Sequence, residues 1–160
     1  MAKVLMFSRQ FPKYHPKAGE VTEFVAKFWA NRGIEMLNTE LLEDDYINVS
    51  KIGYLLNPKG HTIRAGNRFK KGDLFSPRVW SGTPYRSKQI IIAPDTEVLE
   101  TWDIEIDESK CIMIKNKCLS FQKETKIANN DGLSHEDFED WFNVLPFKGQ
   151  IICWNPNINY

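Results

Sequence analysis

Cysteine is scarce in this chain. The 160 residues contain three, Cys111, Cys118 and Cys153, an odd number with no Cys-x-x-Cys pair. That spacing excludes a zinc ribbon and a disulfide framework; it predicts reduced thiols, with Cys111 and Cys118 packed as small hydrophobes. His15, His61 and His135 lack metal-ligand spacing, so neither a metal nor another cofactor is expected. Long apolar runs are missing: none approaches the ~20 residues that cross a bilayer. Val4-Leu5-Met6-Phe7 is too short for a secretion-signal core and meets Ser8, Arg9 and Gln10 at once. There is no glycine-rich phosphate loop, nucleophile elbow or dinucleotide fingerprint. Net charge is absent too, since 21 Lys and Arg offset 21 Asp and Glu, which excludes indiscriminate coating of nucleic acid. With reduced thiols and no membrane segment, a soluble, cytoplasmic protein is expected.

The composition, 42% apolar and 26% charged, is that of one globular domain over residues 1–160. Residues 3–7 read as a buried strand and 11–19, with two prolines and a glycine, as a loop. Val21, Phe24, Val25, Phe28 and Trp29 recur at helical spacing, predicting a helix over Glu20–Arg32 capped by Gly33. Residues 33–58 read as an insertion, with an acidic run at Glu40, Glu43, Asp44 and Asp45 and a short element at Ile52–Leu56. Asp73–Trp80 predicts a strand that Pro77 makes an edge or bulged one. Lys88–Ala93, Glu97–Asp107 and Cys111–Ile114 predict further strands, the second alternating Trp102, Ile104 and Ile106 with acids. Asn129–Gly132 is turn chemistry. Ser134 is placed to cap a helix over His135–Asn143, and Gln150–Trp154 makes a last strand. Many short strands with separated helices give an α+β class, a small curled sheet or pseudo-β-barrel flanked by two or three helices.

The neutral total conceals polarity. Lys59–Lys88 holds eight Lys or Arg against Asp73 alone, a balance of +7, so the remainder carries −7. Within it, Lys59-Gly60-His61-Thr62-Ile63-Arg64 runs into a strand, and glycines 60, 66 and 72 permit turns or bulges. Arg64, Arg68, Lys70, Lys71, Arg78, Arg86 and Lys88 alternate with Phe69, Trp80 and Tyr85, a pattern that can hold phosphates and stack bases.

The Lys59–Arg64 run, the Lys71-Gly72-Asp73 turn and the helix following Gly132 resemble the ASCH domain family of the PUA-like superfamily, over residues 55–154 and the first strand and helix. The resemblance implies a small pseudo-barrel with a cleft beside the Thr62-Ile63-Arg64 strand that takes RNA or a nucleotide-like ligand. Some small family members carry a Lys three residues before the Thr and an acid further on, and hydrolyse the amide of acetylated cytidine. Lys59 and Thr62 match that spacing; Asp131 stands for the acid, one methylene shorter than the Glu of those members. Thr62 would then be the nucleophile, Lys59 its base once neutral, and Asp131 the acid that protonates the leaving amine. Lys59 and Thr62 converge only where Gly60 interrupts the strand alternation.

Three readings follow. One is a domain binding RNA or a modified nucleoside, with ligand contacts from His61, Arg64, Arg68, Lys71, Arg78, Trp80, Tyr85, Arg86 and Lys88. Another is an amidohydrolase using Lys59, Thr62 and Asp131. The third is a protein-interaction module built on the acidic 95–108 strand.

Overall fold

The structure, a computed structural model, describes residues 1–32 and 58–160. The insertion expected at 33–58, with the Gly33 cap, the acidic run and the Ile52–Leu56 element, lies outside them apart from Pro58. The fold is α+β, with two sheets and, among the described residues, three helices. The sheets do not close into the expected barrel, because no strand is shared between their two hydrogen-bonded ladders.

In the first sheet β3 (Leu74–Trp80) is central. It pairs in parallel with β1 (Lys3–Met6) and, on its other side, antiparallel with β4 (Gln89–Ile91) and β5 (Thr96–Glu97). Pro77 therefore sits in an inner strand rather than at an edge. It is tolerated because its missing N–H falls where the partner changes from β5, ending opposite Phe75, to β4, beginning opposite Arg78. Its carbonyl still accepts from Ile92 N at 3.0 Å.

The second sheet is antiparallel, in the order β2 (His61–Ala65), β9 (Phe147–Cys153), β6 (Glu100–Ile106), β7 (Ile112–Ile114) and β8 (Lys117–Cys118). The expected long strand over Glu97–Asp107 is thus divided between the sheets. The chain crosses at Val98, which donates to Asp73 O, and Leu99, which donates to Cys153 O. In β6, Trp102, Ile104 and Ile106 are buried and Asp103 is exposed, as the alternation requires. The inner strand β9 is buried on both faces over Gln150–Cys153.

Helix α1 (Phe24–Arg32) starts later than Glu20. Val21 bridges to Gln10, Glu23 takes a positive φ of 62°, and the Thr22 hydroxyl accepts from Phe24 N while donating to Ser8 O. Six consecutive residues, Phe24 to Trp29, are buried, so α1 is a core helix and not a one-sided stripe. Helix α2 (Phe121–Asn130) is capped by Ser120, and α3 (His135–Trp141) by Ser134, whose hydroxyl accepts from Asp137 N at 3.1 Å.

Two cysteines depart from expectation. Cys111 and Cys118 form a disulfide, Cα–Cα 6.0 Å, and only Cys153 is free and buried. The reason is local: Lys115 (φ 53°) and Asn116 (φ 60°) make a tight hairpin turn between β7 and β8 and bring the flanking cysteines together. No helix among the described residues is long and apolar enough to cross a membrane.

Candidate functional site

The site begins at the end of α2. Gly132, at φ 82°, reverses the chain: its N–H reaches Asn129 O and Leu133 N reaches Ala128 O, both at 3.0 Å. This pairing ends a helix in a left-handed residue, which glycine alone adopts without strain. It places Asp131 at the C-cap and leaves the carbonyls of residues 130–132 facing the core, at the negative end of the helix dipole.

Cations and donors meet those carbonyls. Lys59 Nζ donates to Asp131 O at 2.7 Å and to Asp131 Oδ1 at 2.5 Å. Lys27 Nζ donates to Gly132 O at 2.7 Å and to Thr22 O at 3.1 Å. Gly60 N donates to Asn130 O at 2.8 Å. The Lys59 and Asp131 side chains are only 1% and 8% exposed, and the ammonium lies 4.1 Å from the Phe24 ring centroid. Burial pushes Lys59 down to about 8; Asp131 opposes that shift, while Arg64 and Lys27 assist it. Burial likewise raises Asp131, against the pull of Lys59.

His61 is wholly buried beside this pair. Its Nδ1 has no hydrogen-bond partner among the described residues and lies 3.9 Å from Asp131 Oδ1. Its Nε2 is 2.7 Å from the Tyr160 hydroxyl, which also accepts from Asn130 Nδ2 at 2.8 Å. A phenol that accepts from Asn130 Nδ2 is free to donate to His61 Nε2, an arrangement that puts the imidazole proton on Nδ1. Burial, and then Lys59, hold His61 well below its ordinary pKa, so the ring is neutral.

Strand register separates Thr62 from this group. Paired residues in β2, β9 and β6 share a face. His61, Ile63 and Trp102 lie on the face whose side chains meet Tyr160 and α2; Thr62 and Arg64 lie on the other. Thr62 is buried opposite Ile152. The Arg64 guanidinium donates to Met6 O at 2.6 Å and Ile63 O at 2.9 Å, toward the first sheet. Among the described residues, both side-chain hydrogen bonds of Lys59 go to Asp131 and none to Thr62.

The remaining expected contacts fall elsewhere. Arg68 is exposed, and its guanidinium stands 5.5 Å from the Phe69 ring. Lys71 pairs with Glu100 at 3.1 Å, both largely in solvent. Arg78 bonds the Ser76 hydroxyl and Gln89 Oε1. Trp80 and Tyr85 contact each other with centroids 5.3 Å apart on the β3–β4 hairpin, where Arg86 and Lys88 are exposed. The structure thus brings together Lys59, His61 and Asp131, adds Lys27, Asn130, Trp102 and Tyr160, keeps the Arg64 charge within reach of Asp131, and leaves Arg68, Lys71, Arg78, Arg86 and Lys88 elsewhere. Lys27 had a signal in the sequence, standing between the apolar runs Phe24–Ala26 and Phe28–Ala30 of one helix. Tyr160 had none.

His15 is buried with Nε2 against Asp137 O, and His135 is half-buried against Glu124. No group of three or more His, Cys, Asp or Glu among the described residues is arranged to hold a metal. Compared with known proteins, the chain matches no family model, no curated protein and no solved structure.

Proposed function

We propose that the chain is an ASCH-like domain of the PUA-like kind that binds a modified nucleoside at the Lys59–His61–Asp131 site. The observation that carries this reading is the Lys59–Asp131 ion pair, 2.5 Å apart and almost wholly buried, beside a buried imidazole nitrogen that meets no partner among the described residues. A fold gains little from such a pair, because desolvation offsets the attraction and apolar replacements of similar volume are often as stable. Buried groups with displaced pKa values and an unmet hydrogen bond gather where a ligand or a reaction uses them. A small base-like guest fits better than an extended RNA strand, since Arg68, Lys71, Arg78, Arg86 and Lys88 do not line one groove. Calorimetric titration with cytidine and acetylcytidine tests this. Binding that Asp131→Asn weakens at least tenfold, with the fold intact by circular dichroism, supports it; no binding overturns it.

Amide hydrolysis is the second reading, favoured by Lys59 at about 8. Roughly a tenth of such a group is neutral at pH 7, against fewer than one in a thousand for an ordinary lysine. Lys59 would take the Thr62 hydroxyl proton, Thr62 Oγ1 would form the bond to the acyl carbon as the C–N bond breaks, and Asp131, which burial pushes toward its neutral form, would in that form give its proton to the departing amine. Water would then release the acid from Thr62. This route requires Lys59 to turn from Asp131 to Thr62. Deacetylation of acetylcytidine that disappears in Thr62→Ala supports it; no turnover, or turnover unchanged in that variant, removes it.

A further inference from the structure

Residues 155–160 follow β9 with neither helix nor strand. Local bonds shape them: Asn157 N donates to Asn155 Oδ1 at 2.8 Å and Ile158 N to Asn155 O at 3.3 Å. The segment crosses Gly60, whose missing side chain makes room for it; a Cβ there would lie 2.6 Å from Ile158 Cδ1. It delivers the Tyr160 ring to the polar site. The ring stands edge-on to Trp102 at 5.0 Å between centroids and to His61 at 5.6 Å. Two hydrogen bonds hold its hydroxyl, and the exposed Lys115 ammonium holds its carbonyl at 3.1 Å. Tyr160 is partly buried and keeps some contact with solvent, so its slot is not sealed.

The slot has the parts of a ring-binding site. Trp102 and His61 form apolar walls, Asn130 offers an amide donor, and neutral His61 offers an acceptor at Nε2. A donor beside an acceptor complements a ring edge carrying an acceptor beside a donor, as the ring nitrogen and exocyclic amine of an aminopyrimidine do. Tyrosine meets both groups with one oxygen. The far side of the same imidazole turns Nδ1, unpartnered among the described residues, toward Asp131. A ring in this slot is therefore one imidazole away from the Lys59–Asp131 pair.

We propose that the Tyr160 slot is the subsite for a planar heteroaromatic ring of the nucleobase type, and that Tyr160 is its displaceable placeholder. The inference rests on the nucleoside reading above and says which residues take the base and what must leave. A placeholder seated nine times in ten lowers the apparent affinity about tenfold.

The test titrates cytidine into the wild-type chain, Tyr160→Phe and Tyr160→Ala, following tryptophan fluorescence and heat, with p-cresol as a second probe and melting temperatures measured throughout. About tenfold tighter cytidine binding in Tyr160→Ala, an intermediate value in Tyr160→Phe, and competition by p-cresol in Tyr160→Ala support the proposal. Equal affinity in the three proteins overturns the placeholder while the nucleoside reading stands. So does weaker binding in Tyr160→Ala together with a lower melting temperature, which marks a structural tyrosine. If p-cresol raises the melting temperature of Tyr160→Ala but no variant binds cytidine, the nucleoside reading itself falls, and the base subsite with it.

Discussion

Two groups of cations, close in sequence, have opposite surroundings. Lys59, reinforced by Lys27, is buried at the carbonyl end of α2 among Phe24, His61 and Asp131. Arg86 and Lys88 project from the β3–β4 hairpin into solvent beside Tyr85, which is 89% exposed. The same charge has different consequences in each place. Buried, it must be paired and hydrogen-bonded, and it alters the pKa of its neighbours. On the hairpin it is screened by water and salt and constrains nothing.

The largest expected difference is in stability. Lys59→Met leaves a carboxylate buried without its cation, and Asp131→Asn leaves the ammonium without its anion. Each should cost roughly 3–5 kcal/mol in urea denaturation. The double variant Lys59→Met/Asp131→Leu should recover most of that loss, because no charge then remains buried. A single-variant loss below about 1 kcal/mol would show the pair to be far more solvated than its burial implies.

Next comes the strand register that turns His61 toward Asp131 and Thr62 away. Gly149, paired with Ala65, lets β9 approach β2 so closely that a Cβ would strike the Arg64 carbonyl. That obstacle is backbone and cannot rotate aside. Gly149→Ala should therefore cost about 1–3 kcal/mol and should weaken nucleoside binding along with stability. The exposed Gly66, where nothing lies within 4 Å of an added Cβ, is the control for position; its φ of 76° leaves only local strain to an alanine.

Much of this was legible in the sequence, for identifiable reasons. Alternation in Trp102–Ile106 set the buried face of β6, and Ser134 announced the start of α3. The resemblance matched the spacing of Lys59 and Thr62 and offered Asp131 as the acid; the structure pairs Lys59 with Asp131 and turns Thr62 to the other face. The disulfide was not legible, because the hairpin turn at Lys115-Asn116 lacks the Asn-Gly chemistry that marks such turns. Helix α2 was missed because only Ile127 and Ala128 of its ten residues are buried, too few to produce a helical period. The separation of Thr62 from Lys59 depended on how Gly60 joins α2 and β9, which is a tertiary fact. Tyr160 joins the site through contacts with residues 30 to 99 positions away, and no local pattern carries those.

A smaller effect separates the groups by pH. Burial takes Lys59 from 10.5 to about 8. Between those values the unfolded chain holds a proton that the folded chain has released, so this group makes stability rise with pH across that window. Below about 8 both states are protonated, and its contribution is flat. Urea midpoints from pH 7 to 10 should climb more steeply for the wild-type chain than for Lys59→Met. Parallel curves would mean that Asp131 holds the lysine proton far more tightly than burial resists it.

The smallest effect belongs to the hairpin and bears most directly on the contrast. Arg86→Gln with Lys88→Gln removes two exposed charges and should change stability by no more than about 0.5 kcal/mol. If the ligand is a nucleoside seated near His61, cytidine affinity in that double variant should equal that of the wild-type chain. Short single-stranded RNA discriminates further. Any affinity lost in the double variant should shrink as salt rises, because phosphate contacts displace counterions. If instead the hairpin variant loses cytidine as Asp131→Asn does, the two groups of cations act as one site. The contrast drawn from their burial would then fail at the level of function, although the fold keeps them apart.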